Sequence, residues 1–144
     1  MEKPGEEPLK GSCHYGAVRF EVVLADGLRS ARRCTCSICR MRGAVTVSAA
    51  LDGVRILAGA DKLATYQFNT RMAKHHFCSV RGIYTHHQRR SDPRQFGVNL
   101  ACLKGISPFD RREFPVNDGV NHPSDSGVSR LAGVLRFFPA EDGA

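Results

Sequence analysis

Hydrophobic and polar positions alternate most cleanly in the run AVRFEVVL, which begins at Ala17. Val18, Phe20, Val22 and Leu24 fall on one side of that run, and Arg19 and Glu21 on the other. A period of two sends successive side chains to opposite faces, so the segment predicts a half-buried strand, ended by Asp26-Gly27. Shorter apolar runs predict strands at residues 44–48, 54–57 and 64–68, divided by turn signals at Asp52-Gly53 and Gly59. Residues 74–77 and 83–86 flank Cys78 and read as a hairpin. Residues 96–103, which include Cys102, and 134–138 complete the predicted strands.

Helical periodicity is absent beyond one turn after Ser37. Residues 107–130 hold three of the seven prolines with several Asn, Asp and Gly, and predict an irregular loop. Pro4, Gly5 and Pro8 break the start of the chain, so residues 1–10 read as a flexible tail. The expectation is a mainly β fold with little helix, built as one domain over residues 11–144.

A length of 144 residues suits one domain, and 42% hydrophobic with 24% charged residues is a globular composition. Disordered, coiled-coil and collagen-like chains are excluded. No run reaches the ~18 apolar residues of a membrane span. The opening MEKPGEEPLK is acidic and lacks an apolar core, so no signal peptide is expected and the expected location is cytoplasmic. The net charge of +7 is uneven: beyond residue 9 the chain carries 20 basic against 11 acidic residues. That excess favours an anionic partner without choosing among nucleic acid, phosphate and carboxylate.

The six cysteines are Cys13, Cys34, Cys36, Cys39, Cys78 and Cys102. A reducing compartment makes a disulfide framework a poor explanation. Cys34, Cys36 and Cys39 form C-x-C-x-x-C. An extended Cys34–Cys36 puts two thiols on one face, and a tight turn brings the third back, a soft donor set suited to zinc. Three ligands leave a fourth position open, as in catalytic zinc sites, unless Cys78, His75, His76, His86 or His87 closes it. Arg29, Arg32, Arg33, Arg40 and Arg42 surround the motif with no acid among them. Guanidinium groups there would offset the charge of a zinc thiolate centre and hold carboxylates of an incoming ligand; a solvated arginine-rich loop is the plainer reading. Cys102, in an apolar run, reads as a buried thiol, and residues 121–125 as a turn cluster.

The motifs GSCHYGAV from Gly11, CTCSIC from Cys34, YQFN from Tyr66 and FCSVRGI from Phe77 occur in this order over roughly residues 10–105. Together they resemble the glutathione-dependent formaldehyde-activating enzyme family, whose domain is shared with centromere protein V. The resemblance implies a β-rich fold stapled by zinc and two cysteine sites. One is the three-cysteine site, where glutathione sulfur meets zinc, and it maps onto Cys34, Cys36 and Cys39. The other is a structural four-cysteine zinc site, made by an early C-x-C and a late C-x-x-C. Here it keeps only Cys13 and Cys78, with Tyr15 and Arg81 at the two remaining ligand positions. Cys13 and Cys78 should then be neighbours, reduced in preference to disulfide-bonded, with His76 the alternative replacement ligand. Tyr15 and Arg81 would fill the vacated space, guanidinium over ring.

The expected function is that of a zinc-dependent carbon–sulfur lyase or synthase. It would join glutathione to formaldehyde or a related aldehyde, in aldehyde detoxification. The cysteine triad holds zinc, Arg32, Arg33, Arg40 and Arg42 bind the thiol's carboxylates, and His86 or His87 donates a proton, alternation preventing both from facing one site. A non-catalytic zinc- and thiol-binding protein is the alternative. A nucleic-acid module is disfavoured by 8% aromatic residues and no tryptophan.

Overall fold

The computed structural model describes residues 7–141. Along the chain run β1 (Leu9–Ser12), β2 (Arg19–Leu24), β3 (Arg33–Cys34), α1 (Ser37–Arg42), β4 (Thr46–Ala58), β5 (Leu63–Tyr66), β6 (Lys74–Cys78), β7 (Tyr84–Gln88), β8 (Gln95–Asn99), β9 (Glu113–Asn117), α2 (Pro123–Ser126) and β10 (Leu131–Arg136). Seven strands form an antiparallel sheet in the order β1-β2-β4-β8-β7-β6-β5. A smaller sheet has the order β10-β9-β3, with β9 and β3 parallel. The mainly β expectation holds.

The alternation in β2 sets the core. Phe20 and Val22 are fully buried, Leu24 nearly so, and they pack with Val47, Ala49, Val98 and Leu100. Burying each such side chain contributes about 1.5–3 kcal/mol. Gly11 stands opposite Phe20 across the β1–β2 ladder, and a Cβ there would lie 2.4 Å from the Phe20 ring, so only glycine fits.

Several boundaries differ from expectation for physical reasons. Leu9 and Lys10, assigned to the tail, begin β1: Leu9 packs on the core and Lys10 pairs with Glu21 at 2.9 Å. Residues 1–6 of that tail lie outside the described residues. The two strands expected around Asp52-Gly53 are one strand with a bulge, since Val22 pairs with Val54 but Leu24 with Ala49. Gly53 fits the bulge because a Cβ would meet the Val23 carbonyl oxygen at 2.9 Å.

The strand expected through Cys102 stops at Asn99. Its side chain accepts from Ala101 N–H at 3.2 Å and donates to Tyr84 O at 2.9 Å, starting a 3-10 turn over Leu100–Cys102. The expected loop at 107–130 contains β9, where Pro115 hides the pattern. β3 pairs only with Val116 and Asn117, so Pro115 faces no β3 partner. The last strand lies at Leu131–Arg136, earlier than expected. The 74–86 hairpin forms as read, with His75 opposite His87 and His76 opposite His86.

Candidate metal centre

The C-x-C-x-x-C motif spans the step from β3 into α1. Cys34 ends β3, and its Sγ accepts the Cys36 N–H at 3.4 Å. Cys36 caps α1, its Sγ accepting the Cys39 N–H at 3.4 Å, and Gly43 ends that helix at φ 68°. These turns bring the three Sγ atoms within 4.8 Å of one another, all half-buried. Tetrahedral zinc with ~2.3 Å bonds places its sulfur ligands about 3.8 Å apart, so the donor set and spacing fit that ion. Among the described residues this is the one cluster of three or more His, Cys, Asp or Glu close enough to hold a metal.

Charge in the cluster is unevenly held. The Cys34 and Cys39 thiols and backbone N–H groups donate to Cys36 and hold its pKa well below the thiol range. Hydrogen bonding among the same thiols raises Cys39, and the Cys36 partner raises Cys34. The end of β9 closes one side: Thr35 N–H donates to Asn117 O at 3.1 Å and Gly119 N–H to Thr35 Oγ1 at 3.0 Å. A Cβ on Gly119 would sit 2.4 Å from Cys34 Sγ.

The cysteines open onto a cleft of about 500 Å³ lined by Arg32, Arg89, Arg90 and Arg130 together with His75, His87 and His122. Arg32 donates to Ser48 Oγ at 2.8 Å and Ser30 O at 3.1 Å; burial lowers its pKa to about 10, which leaves it a cation at neutral pH. Arg42 stands behind the wall of this cleft, touching two of its lining residues. Its guanidinium stacks on Tyr84, 3.6 Å from the ring centroid, and bonds His75 Nδ1 at 3.1 Å, while Nη2 reaches Cys39 Sγ at 3.7 Å. Arg33 lines a different cleft, and Arg40 is exposed and lines neither. The sequence reading missed Arg89, Arg90, Arg130 and His122. Arg89-Arg90 was legible as a continuation of the strand beyond His87; Arg130 and His122 carry no local signal.

The histidines alternate as expected. His87 faces the cysteine cleft, stacked on His75 at 5.1 Å, whereas His86 lies in the core against Phe20 and Phe96. Burial lowers all three: His75 to about 4, with help from Arg42, His86 to about 3, and His87 well below its usual value. His76 bonds Thr65 Oγ1 at 2.9 Å and stands beside His86. Cys102 is a buried thiol raised to about 12 by desolvation. The turn cluster expected at 121–125 is replaced from Pro123 by the short helix α2, closed by Gly127 N–H donating to Pro123 O at 2.8 Å, while Asp118 accepts the Val120 and Asn121 N–H groups just before it.

Cys13 and Cys78 pack together with Val18 as buried, free thiols. Arg81 lies over the Tyr15 ring, 5.8 Å from its centroid. Among the described residues no helix is long and apolar enough to cross a membrane.

Residues 8–114 match the family model described as glutathione-dependent formaldehyde-activating enzyme. A Halomonas elongata protein that carries this name provisionally is 39% identical over 80 residues, 49% of this chain and 50% of that protein. The chain thus spans about half the length of that curated relative. A crystal structure of a Rhodobacter sphaeroides protein is 55% identical with a TM-score of 0.74, covering 75% of this chain and 99% of the other. The match contains Cys13, Cys34, Cys36, Cys39 and Cys78 but ends before Gly119, His122 and Arg130. The chain belongs to the glutathione-dependent formaldehyde-activating enzyme family.

Proposed function

We propose that the protein joins a small thiol, glutathione, to formaldehyde or a related small aldehyde at the Cys34–Cys36–Cys39 centre. The observation that carries this reading is three Sγ atoms within 4.8 Å of one another at the floor of a cleft walled by four arginines. Cys34, Cys36 and Cys39 would hold zinc, which supplies Lewis acidity that lowers the pKa of a thiol bound beside them.

The chain's own residues bind and orient. Glutathione carries two carboxylates, and Arg32, Arg89 and Arg130 line the cleft as cations that would receive them, while Arg90 is already paired with Asp125. Arg32 is already anchored on Ser48 and Arg89 on Gln95 at 2.7 Å, so their heads are positioned before the ligand arrives. The glutathione thiol loses its proton to solvent, and its sulfur attacks the carbonyl carbon. A carbon–sulfur bond forms, the carbonyl π pair moves to oxygen, and that oxygen takes a proton from water, giving S-hydroxymethylglutathione. His75 and His87, held neutral by burial, are not imidazolium donors at neutral pH.

That neutrality favours a second reading, a zinc-bound thiol carrier that positions glutathione without accelerating the addition. Exchange NMR with ¹³C-formaldehyde and glutathione separates the two. Acceleration over buffer that disappears in Cys36→Ser supports the enzyme. Glutathione binding at the buffer rate supports the carrier, and absence of glutathione binding contradicts both.

A further inference from the structure

A second cleft is larger than the one that holds the cysteines. A space of about 940 Å³ lies between the β6–β7 region and the second sheet, sharing among the described residues only Ile38 and His75 with the cysteine cleft. Clefts of roughly 300–1,000 Å³ with apolar walls and few polar groups suit small organic molecules. Its wall is aromatic: Phe77, Tyr84, Phe109, Phe114 and Phe137 all contribute. Phe109 and Phe137 form a ring pair with centroids 5.2 Å apart, yet remain 69% and 39% exposed. Such rings at the rim of an apolar cleft gain when a ligand covers them.

The polar groups identify the ligand's charge. Among the described residues no Asp or Glu lines the cleft, while Arg33, Arg42 and Arg136 do. Two of these cations are already engaged: Arg136 pairs with Glu113 at 3.0 Å, and Arg42 is stacked on Tyr84 and bonded to His75. Arg33 has no side-chain hydrogen bond or ion pair among the described residues, although it is half-buried over Gly43. A half-buried cation beside aromatic walls is completed by an anion attached to a ring.

We infer that this cleft is a binding site for an aromatic carboxylate, with the ring system against Phe109 and Phe137 and the carboxylate on Arg33. The inference does not rest on the thiol chemistry, although the two clefts adjoin at Ile38 and His75 and Arg42 on this wall reaches Cys39 Sγ.

The test is calorimetric titration of the full-length, zinc-loaded protein with 2-naphthoate, 2-naphthylmethanol and decanoate. Naphthoate binds once per chain, below about 1 mM, and Arg33→Gln weakens it at least ~10-fold, as expected for losing a charge-assisted pair. Naphthylmethanol binds more weakly and is unaffected by Arg33→Gln; decanoate binds more weakly than naphthoate. Phe109→Ala, which truncates an exposed ring and spares the core, weakens both ring ligands. Amide shifts fall on Phe109, Phe114 and Phe137 with glutathione present. Absence of saturable binding, naphthoate affinity unchanged in Arg33→Gln, tighter binding of decanoate, or shifts confined to Arg89 and Arg90 overturns the assignment. Failure of glutathione binding alone leaves these outcomes readable, so the two sites are tested separately.

Discussion

The Arg81 guanidinium lies over the Tyr15 ring, 5.8 Å from its centroid, at the two loops that bring Cys13 and Cys78 together. The family resemblance implies cysteine ligands at both positions, so a paired substitution stands where half of a structural zinc site would be. Tyr15 holds a left-handed conformation at φ 64° and ψ 7°, which places its ring outward and 82% exposed. Beneath it Cys13 and Cys78 are buried against Val18, with Leu63 and Ile83 alongside.

An exposed cation–π pair is worth only about 0.5–1 kcal/mol, whereas polar substitution of a buried thiol costs about 1–3 kcal/mol. Urea denaturation should therefore find a small loss in Arg81→Ala and a larger one in Cys78→Ser. A loss in Arg81→Ala as large as that in Cys78→Ser would place the repair in the ring stack and contradict the packing account.

Gly119 tests how closely β9 closes the metal centre. Its absent Cβ would lie 2.4 Å from Cys34 Sγ and 2.7 Å from the Cys36 backbone nitrogen. Gly119→Ala should weaken zinc binding ~10–100-fold, the scale of disturbed groups surrounding metal ligands, and leave the circular dichroism spectrum intact. Competition with a chromogenic chelator measures this. Unchanged zinc affinity would mean the β9 end does not constrain the cysteines.

Much of this fold was legible locally. Val18, Phe20, Val22 and Leu24 announced β2, and the spacing of Cys34, Cys36 and Cys39 announced their convergence, because both follow from backbone periodicity. What was hidden depends on partners distant in sequence. Arg42 is claimed by Tyr84 and His75, so its place beside the motif gave no warning that it stands behind the cleft wall, against Cys39 Sγ. Pro115 disguised β9, and with it the origin of Gly119, His122 and Arg130 as cleft residues. The β4 bulge is set by pairing with β2, which no turn signal at Asp52-Gly53 distinguishes from a true strand break.

His86 makes the fold acid-sensitive. Burial between Phe20 and Phe96 lowers its pKa from 6.5 to about 3, so the folded state favours the neutral ring. The sign follows: its contribution is complete above about pH 6.5 and is lost as the pH falls toward 3, because the unfolded chain binds the proton first. Chemical denaturation at pH 7.5 and 4.5 should show stability falling, with His86 contributing about 2–3 kcal/mol of the difference. His86→Gln should shrink that difference. An equal pH dependence in the variant would assign the acid sensitivity to other groups.

Arg130 tests the anion-binding wall. It is exposed and lines the cysteine cleft, so Arg130→Gln should raise the KM for glutathione ~3–10-fold with little change in kcat. Steady-state kinetics over glutathione concentration checks this. A fall in kcat at constant KM would remove Arg130 from ground-state binding.

The central claim is a single open three-cysteine zinc site, with packing in place of a second metal. The most direct measurement is the zinc content of the purified, reduced protein, with sulfur coordination counted by X-ray absorption before and after glutathione is added. One zinc per chain, rising from three to four sulfur ligands with glutathione, is the predicted result. No zinc, or a coordination shell unchanged by glutathione, contradicts the proposed chemistry, and two zincs per chain contradict the reading of Tyr15 and Arg81.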